Sequence, residues 1–158
     1  MLALQRGELS AASAGNSAVP QSQFDELSKK FKLLTAPGEF NVALFFNLGA
    51  GFPYDQVAFR QAIAYALDRQ DMVQRLVSGR GVPGSAGALG PGNPFLNKSL
   101  PAYAFDLTKA TALLDQVGLK DRDGDGVRDQ PDGSPFAIPL LTSSRDNPQA
   151  QLVQEYPR

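Results

Sequence analysis

Five aspartates crowd into the stretch DRDGDGVRDQPDG, Asp121 to Gly133. Carboxylates at alternate positions, with a glycine straight after the third, suit a hard cation that takes six to eight oxygens. On the calcium-loop template, Asp121, Asp123 and Asp125 fall at positions 1, 3 and 5, and Gly126 supplies the sharp turn at 6. The Val127 carbonyl falls at 7, Asp129 at 9 and Asp132 at 12. Gathering so much negative charge makes sense where a cation screens it. Two departures argue against an EF-hand: Asp132 is shorter than the bidentate glutamate, and Arg128 stands where a core hydrophobe belongs. A hairpin, not a helix, is expected to follow. What remains is an open D-x-D-G-D-G loop, in which Ca2+ would be structural and Arg122 and Arg128 would lower its affinity. The competing reading is a glycine-rich turn whose aspartates cap their own backbone amides.

Other chemistry-bearing patterns fail on context. GRGVPG (Gly79 to Gly84) satisfies G-x-G-x-x-G, but a dinucleotide site needs that turn to follow a strand and open a helix. Here it follows a helical segment, and Pro83 removes an amide donor. Ser85 in PGSAG approaches the nucleophile elbow, yet proline replaces the first glycine. The chain has no histidine to activate a serine, and no cysteine for a thiolate, a disulfide or a zinc-thiolate site. No phosphate-binding P-loop sequence occurs.

The composition frames these exclusions. With 158 residues the chain suits one domain with a real core and would be short for two. A net charge of −1 gives no electrostatic reason to expect nucleic acid or an anionic membrane as partner. The longest apolar run, VALFF (Val42 to Phe46), falls far below the ~20 residues of a membrane-spanning helix. MLALQRGELS lacks the basic and apolar regions of a secretory signal and reads like the interior of a longer protein.

These residues need elements to position them. Phe24, Leu27 and Phe31 recur at i, i+3 and i+7 after Pro20, which predicts a short amphipathic helix. KLLT (Lys32 to Thr35) and FNVALFFN (Phe40 to Asn47) read as strands around the turn APGE, the second buried on both faces. After the GAGFP loop (Gly49 to Pro53), Phe59, Ala62, Ile63, Ala66 and Leu67 trace one helical face, with Asp55 as N-cap. Asp68 is expected to cap a second helix carrying Met72, Val73, Leu76 and Val77 and ending at Gly79. Arg60 and Arg69 fall off the apolar stripe, where solvation or surface pairing is expected. Gly79 to Pro101 is a long Gly/Pro-rich loop. Asp106 then caps a helix with Leu107, Ala110, Leu113, Leu114 and Val117 on one face and Gly118 as its stop. QPDGS reads as a hairpin turn, and FAIPLLT (Phe136 to Thr142) as an edge strand because Pro139 cannot donate to a ladder. Alternating strands and helices predict an α/β or α+β domain, a mixed sheet with flanking helices.

Several stretches, taken in order, resemble the family 5 extracellular solute-binding proteins, the peptide- and nickel-binding components of ABC importers. LQRGELS looks like the family's "L..GE.D", with Ser10 in place of Asp. LFFNLGAGFPYDQVAFRQAIAYALDRQDMV (Leu44 to Val73) is similar to a strand ending in "FN" followed by a "P..D..VRQAI.YA.DR" helix, with Ala58 and Phe59 before Arg60 where "VR" is common. VSGRGVPGSAGALGPGNP resembles "G.G.PA.G..PP". AYAFDLTKATALLDQVGLKDRDGDGVRDQPDGSPFAIPLLTSS resembles "Y.YD...A..LL...G..D.DGDG" with its hairpin strand.

The resemblance implies a non-enzymatic internal fragment of a type II periplasmic-binding-protein-like fold, whose two lobes close on a solute. It implies that residues 1–50 form the hinge-proximal end of the first lobe with interlobe strands. Residues 51–158 would begin the second, with the Asp-rich loop at 121–133 as an elaboration. A peptide is the expected solute and an ABC permease the expected partner. The location is expected to be periplasmic, or extracellular and membrane-anchored, with no cofactor required. Phe46, Asn47 and the GAGFP loop are expected beside the cleft, and the fragment could self-associate to cover surface that the missing part would bury. The reading from another class is a calcium-binding structural or adhesion module centred on Asp121, Asp123, Asp125, Asp129 and Asp132.

Overall fold

Helices form where apolar residues recur three and four apart, and the segments read as strands behave differently. The structure is a computed structural model. It describes residues 2–11, 21–34, 42–84, 86–87, 89–90, 92–144 and 146–155. The chain divides into two units, Met1–Ala36 and Pro37–Arg158.

In the first unit, α1 (Leu2–Gln5) is a single turn and α2 (Gln21–Lys30) is the amphipathic helix expected around Phe24 and Leu27. Leu27 is sealed from solvent while Phe24 and Phe31 are half-buried, so the stripe does face inward. Lys29 and Lys30 sit in the last turn, where cations complement the helix dipole. Pro20, Thr35 and the APGE turn lie outside the described residues. Lys32–Leu34, read above as a strand, joins no ladder among the described residues.

The second unit holds α3 (Val57–Ala66), α4 (Arg69–Val77), α5 (Leu107–Gln116) and α6 (Pro148–Glu155). The chain leaves the helix at Leu67, and the Asp68 carboxylate accepts the amides of Gln70 and Asp71, both at 3.0 Å, to start α4. At the other end, the Ser78 and Gly79 amides both return to the Val73 carbonyl, and Gly79 takes a left-handed φ of 75°. α5 begins on Asp106, whose carboxylate accepts the Lys109 amide at 2.9 Å, and stops before Gly118 at φ 87°.

Two expectations shift. The N-cap position of α3 is Gln56, not Asp55. A turn over 52–55, closed by the Asp55 amide on Gly51 and the Gln56 amide on Pro53, carries the chain one residue further before helical bonding begins. The Asp55 carboxylate instead accepts the Gln56 side-chain amide at 2.9 Å. Helix α6 was not expected at all. Asn147 caps it by accepting the Ala150 amide at 2.9 Å, and Pro148 opens its first turn, where a missing N–H costs nothing.

The core lies where α3 packs against α5. Ala62 and Ala66 on α3 and Ala110 on α5 are buried, and their small side chains permit close approach of the two helices. Phe59 is fully sealed and meets three rings edge-on: Tyr54 at 5.6 Å, Phe46 at 5.9 Å and Phe136 at 5.9 Å. Burying a phenylalanine stabilises by roughly 1.5–3 kcal/mol, and well-placed edge contacts add to this.

The strand expectation for 42–47 and 136–142 is not met within the described residues. There the pairing consists of isolated antiparallel bridges, Lys120 with Asp129 and Asp129 with Pro135. Val42 is 65 % exposed and Phe45 86 %, the opposite of burial on both faces, and Leu141 in the expected edge strand is 97 % exposed. A strand satisfies its backbone only through a neighbour, and no described segment lies in register to supply one.

Candidate functional site

The end of α5 builds the aspartate loop. After Gly118, the fully buried Leu119 anchors the chain, and Lys120 and Asp129 bridge the base of the loop. Asp129 is buried, and its carboxylate accepts the Arg122 amide at 3.0 Å across the base. Beyond it the hairpin closes as expected from QPDGS. The Gln130 amide meets the Ser134 carbonyl at 2.8 Å, and the Phe136 amide meets that of Arg128 at 2.7 Å.

Three of the five aspartates come together. Asp121, Asp123 and Asp125 are exposed and each brings a carboxylate oxygen within 4.8 Å of the others. Their oxygens also accept the loop's own amides. Asp121 takes Gly124 at 2.7 Å and Gly126 at 3.0 Å, Asp123 takes Asp125 at 3.2 Å, and Asp125 takes Val127 at 2.7 Å. Gly124 and Gly126 adopt φ of 81° and 86°, which brings these amides round to the carboxylates. Amide dipoles thereby offset part of the repulsion among the clustered charges. Asp129 and Asp132 are engaged elsewhere: Asp132 accepts both the hydroxyl and the amide of Ser134. The Ser134 hydroxyl, then its amide, hold the Asp132 carboxyl below the usual carboxylate range.

Both arginines of the loop turn back towards α5. Arg128 pairs with Asp115 at 2.6 Å and donates to the Leu119 carbonyl. Arg122 reaches the Gly118 carbonyl at 3.4 Å. Both guanidinium groups thus tie the loop to carbonyls just past the end of α5.

Phe46 and Asn47, the residues expected beside a cleft, take distinct places. Phe46 is half-buried with its ring against Phe59. Asn47 is exposed and caps a 3-10 turn over Leu48–Ala50, its side-chain oxygen accepting the Gly49 amide at 3.1 Å. Pro53 of the GAGFP loop is sealed in the core, while Phe52 is exposed.

Arg60 and Arg69, expected off the stripe to be solvated or paired at the surface, are paired, and their partners are backbone groups. Both are half-buried and spend their guanidinium groups on backbone carbonyls: Arg60 on Tyr54 at 2.8 Å, Arg69 on Ala64, Ala102 and Tyr103. Periodicity reads which side of a helix is apolar, and it carries no information about carbonyls arriving from a distant loop. An open hollow of about 440 Å³ lies beside α6, lined by Leu140, Thr142, Ser144, Gln151 and Gln154 among others, and none of the described residues on its wall is charged. It was invisible in the sequence because α6 was. The signal that could have revealed it is Asn147–Pro148 before a run ending in Leu152 and Val153.

Comparison with known proteins adds a family to this geometry. A family model described as bacterial extracellular solute-binding proteins, family 5 middle, matches residues 1–156. A periplasmic alpha-galactoside-binding protein of Rhizobium meliloti is 40 % identical over 76 residues, covering 48 % of this chain and 11 % of its own length. The oligopeptide-binding protein AppA of Bacillus subtilis is 32 % identical over 104 residues, covering 61 % and 18 %. The chain therefore spans less than a fifth of the length of these relatives. Among solved structures, NikA of Brucella suis in complex with Fe(III)-EDTA matches with a TM-score of 0.67 at 24 % identity, over 98 % of this chain and 32 % of that one. A periplasmic oligopeptide-binding protein of an ABC transporter of Thermotoga maritima matches with a TM-score of 0.56 at 23 % identity, over 77 % and 24 %. At these identities the likeness is one of fold, that of the type II periplasmic binding proteins. No helix among the described residues is long and apolar enough to cross a membrane.

Proposed function

Because the chain belongs to the bacterial extracellular solute-binding proteins of family 5, we propose that it is part of an ABC-transporter receptor that captures a peptide for import. The observation that carries this reading is the family match across residues 1–156. The family is a non-enzymatic transport component, which agrees with a chain containing neither histidine nor cysteine. Peptide is preferred because an oligopeptide-binding protein stands among the relatives. The α-galactoside-binding relative marks the alternative solute class that the experiment must separate.

In this reading residues 1–50 belong to the hinge-proximal end of one lobe and residues 51–158 open the other. The apolar segments 42–47 and 136–142 become strands of a mixed sheet once a neighbour supplies their ladder. Support comes from their exposed side chains, Phe45 and Leu141 above all. The receptor works outside the cytoplasmic membrane, held at the surface and docking on its permease. Asn47 stands at the rim of the interlobe cleft, supported by its exposure and its place at the start of the GAGFP loop. Alone, the 158-residue chain pairs with a second copy through its uncovered apolar surface.

Calorimetry on the full reading frame tests this. Short peptides are expected to bind at about micromolar Kd or tighter, a free energy near −8 kcal/mol, and α-galactosides about a hundredfold more weakly. Asn47→Ala should weaken peptide binding about tenfold, the scale of one hydrogen bond in a closed site. Binding of α-galactosides with no response to peptides would overturn the peptide assignment, and binding of neither would overturn the receptor reading.

A further inference from the structure

The elbow between α3 and α4 carries a polar clasp that solute capture does not explain. Arg69, the first residue of α4, donates from Nη1 to the Ala64 carbonyl at 3.1 Å, and from Nη2 to the Ala102 carbonyl at 2.6 Å and the Tyr103 carbonyl. Ala64 lies in the last turn of α3, whose carbonyls lose their helical partners when the chain turns away at Leu67. One forked cation thus joins a helix end to a segment more than thirty positions further along the chain.

Tyr103, at the far side of the clasp, has φ of 43°, a left-handed conformation that residues with a Cβ rarely keep without outside support. Its support is visible. The carbonyl lies on Arg69, the hydroxyl accepts from the Gln61 side-chain amide at 3.3 Å, and the ring meets Tyr65 edge-on at 5.2 Å. Three residues later the Asp106 amide donates to the Tyr65 carbonyl at 3.0 Å. The Asp106 carboxylate then starts α5 and pairs with Lys109 at 3.4 Å, whose ammonium lies 5.4 Å from the centre of the Tyr65 ring.

We propose that Arg69 and Tyr103 form a conformational clasp that fixes the entry of α5 on the α3–α4 elbow, with Tyr103 as its strained member. Removing the guanidinium frees two carbonyls of the segment before α5, and the Tyr103 backbone relaxes out of the left-handed region. A lysine supplies a point charge that reaches one carbonyl at a time, so it restores the clasp only in part.

Amide hydrogen exchange on the 158-residue chain reads this directly. Arg69→Met should speed exchange of the Asp106 amide about tenfold or more, the scale of losing charge-assisted hydrogen bonds, while amides of α6 keep their wild-type rates. Arg69→Lys should fall between the two. Arg75→Met should leave Asp106 unchanged, because Arg75 pairs with Asp71 and Glu155 away from the clasp. If circular dichroism shows that Arg69→Met does not fold, Arg69→Lys carries the same comparison. Wild-type exchange at Asp106 in the Arg69 variants, or equal acceleration in α3, α5 and α6, would overturn the proposal.

Discussion

Phe59 and Phe45 are both phenylalanines in strongly apolar stretches, yet Phe59 is sealed from solvent and Phe45 is 86 % exposed. The difference lies in how each segment satisfies its backbone. Around Phe59 the chain is helical, so its amides and carbonyls pair within the segment and the apolar face is free to seek α5. Around Phe45 the chain was expected to be a strand, and a strand must borrow its partners from elsewhere. The helical region therefore satisfies its own backbone, and the segment from Val42 to Asn47 joins no ladder among the described residues. The same division separates the aspartate loop, which caps itself, from the apolar segment 137–142 that follows its hairpin.

The largest test of this contrast is a pair of truncations. Phe59→Ala should destabilise the chain by about 3–5 kcal/mol, from lost burial and the cavity left among Phe46, Tyr54 and Phe136. Phe45→Ala should change stability by less than about 0.5 kcal/mol at dilutions where the chain is a monomer, as at an exposed site. Chemical denaturation followed by circular dichroism measures both. A Phe45→Ala cost comparable to that of Phe59→Ala would break the comparison.

Acid sharpens it. The Lys109 amide, with smaller help from its side chain, holds the Asp106 carboxyl below its usual range, and Ser134 does the same for Asp132. Since both folded-state values are lowered, each contributes stability that is fully present above the unfolded value near about 4. That contribution is lost as pH falls through the depressed folded value. Loss of the Asp106 cap should show as helical signal that falls as pH drops below the unfolded value of about 4, and Asp106→Asn should flatten that pH dependence. Asp132→Asn should leave the helical signal unmoved, because its partner lies in a turn. An acid transition of equal size in wild type and Asp106→Asn would remove the cap from the account.

The smallest expected effect is that of calcium. With the loop's carboxylates already accepting its amides, millimolar Ca2+ should raise the melting temperature by no more than about 1–2 °C. A rise of many degrees, abolished by Asp121→Ala, would make the loop an ion site and turn the self-capping account on its head.

Much of the helical fold was legible in the residues. Asp68 and Asp106 announce α4 and α5 because their carboxylates act on amides two or three positions away. The alanine-rich face of α3 is equally local. The aspartate loop could be read as a tight turn from its glycines, although the division of its carboxylates into Asp121, Asp123 and Asp125 on one side and Asp129 and Asp132 on the other could not. That division follows from the bridge at the loop's base, which spends Asp129 on Arg122. The expected strands form no ladder among the described residues, since apolar runs such as VALFF specify a tendency to pair and say nothing about who pairs with them.

The amino-acid sequence by itself determined the family, the helix starts, the hairpin turn and the absence of imidazole and thiol chemistry. Each of these depends on residue identity or on contacts within a few positions. Only the tertiary structure decided that Phe59 gathers three aromatic rings, that Arg69 clasps Tyr103, and that Val42, Phe45 and Leu141 remain uncovered. Those outcomes depend on which distant groups arrive within bonding distance, and spacing along a chain does not encode that arrival one segment at a time.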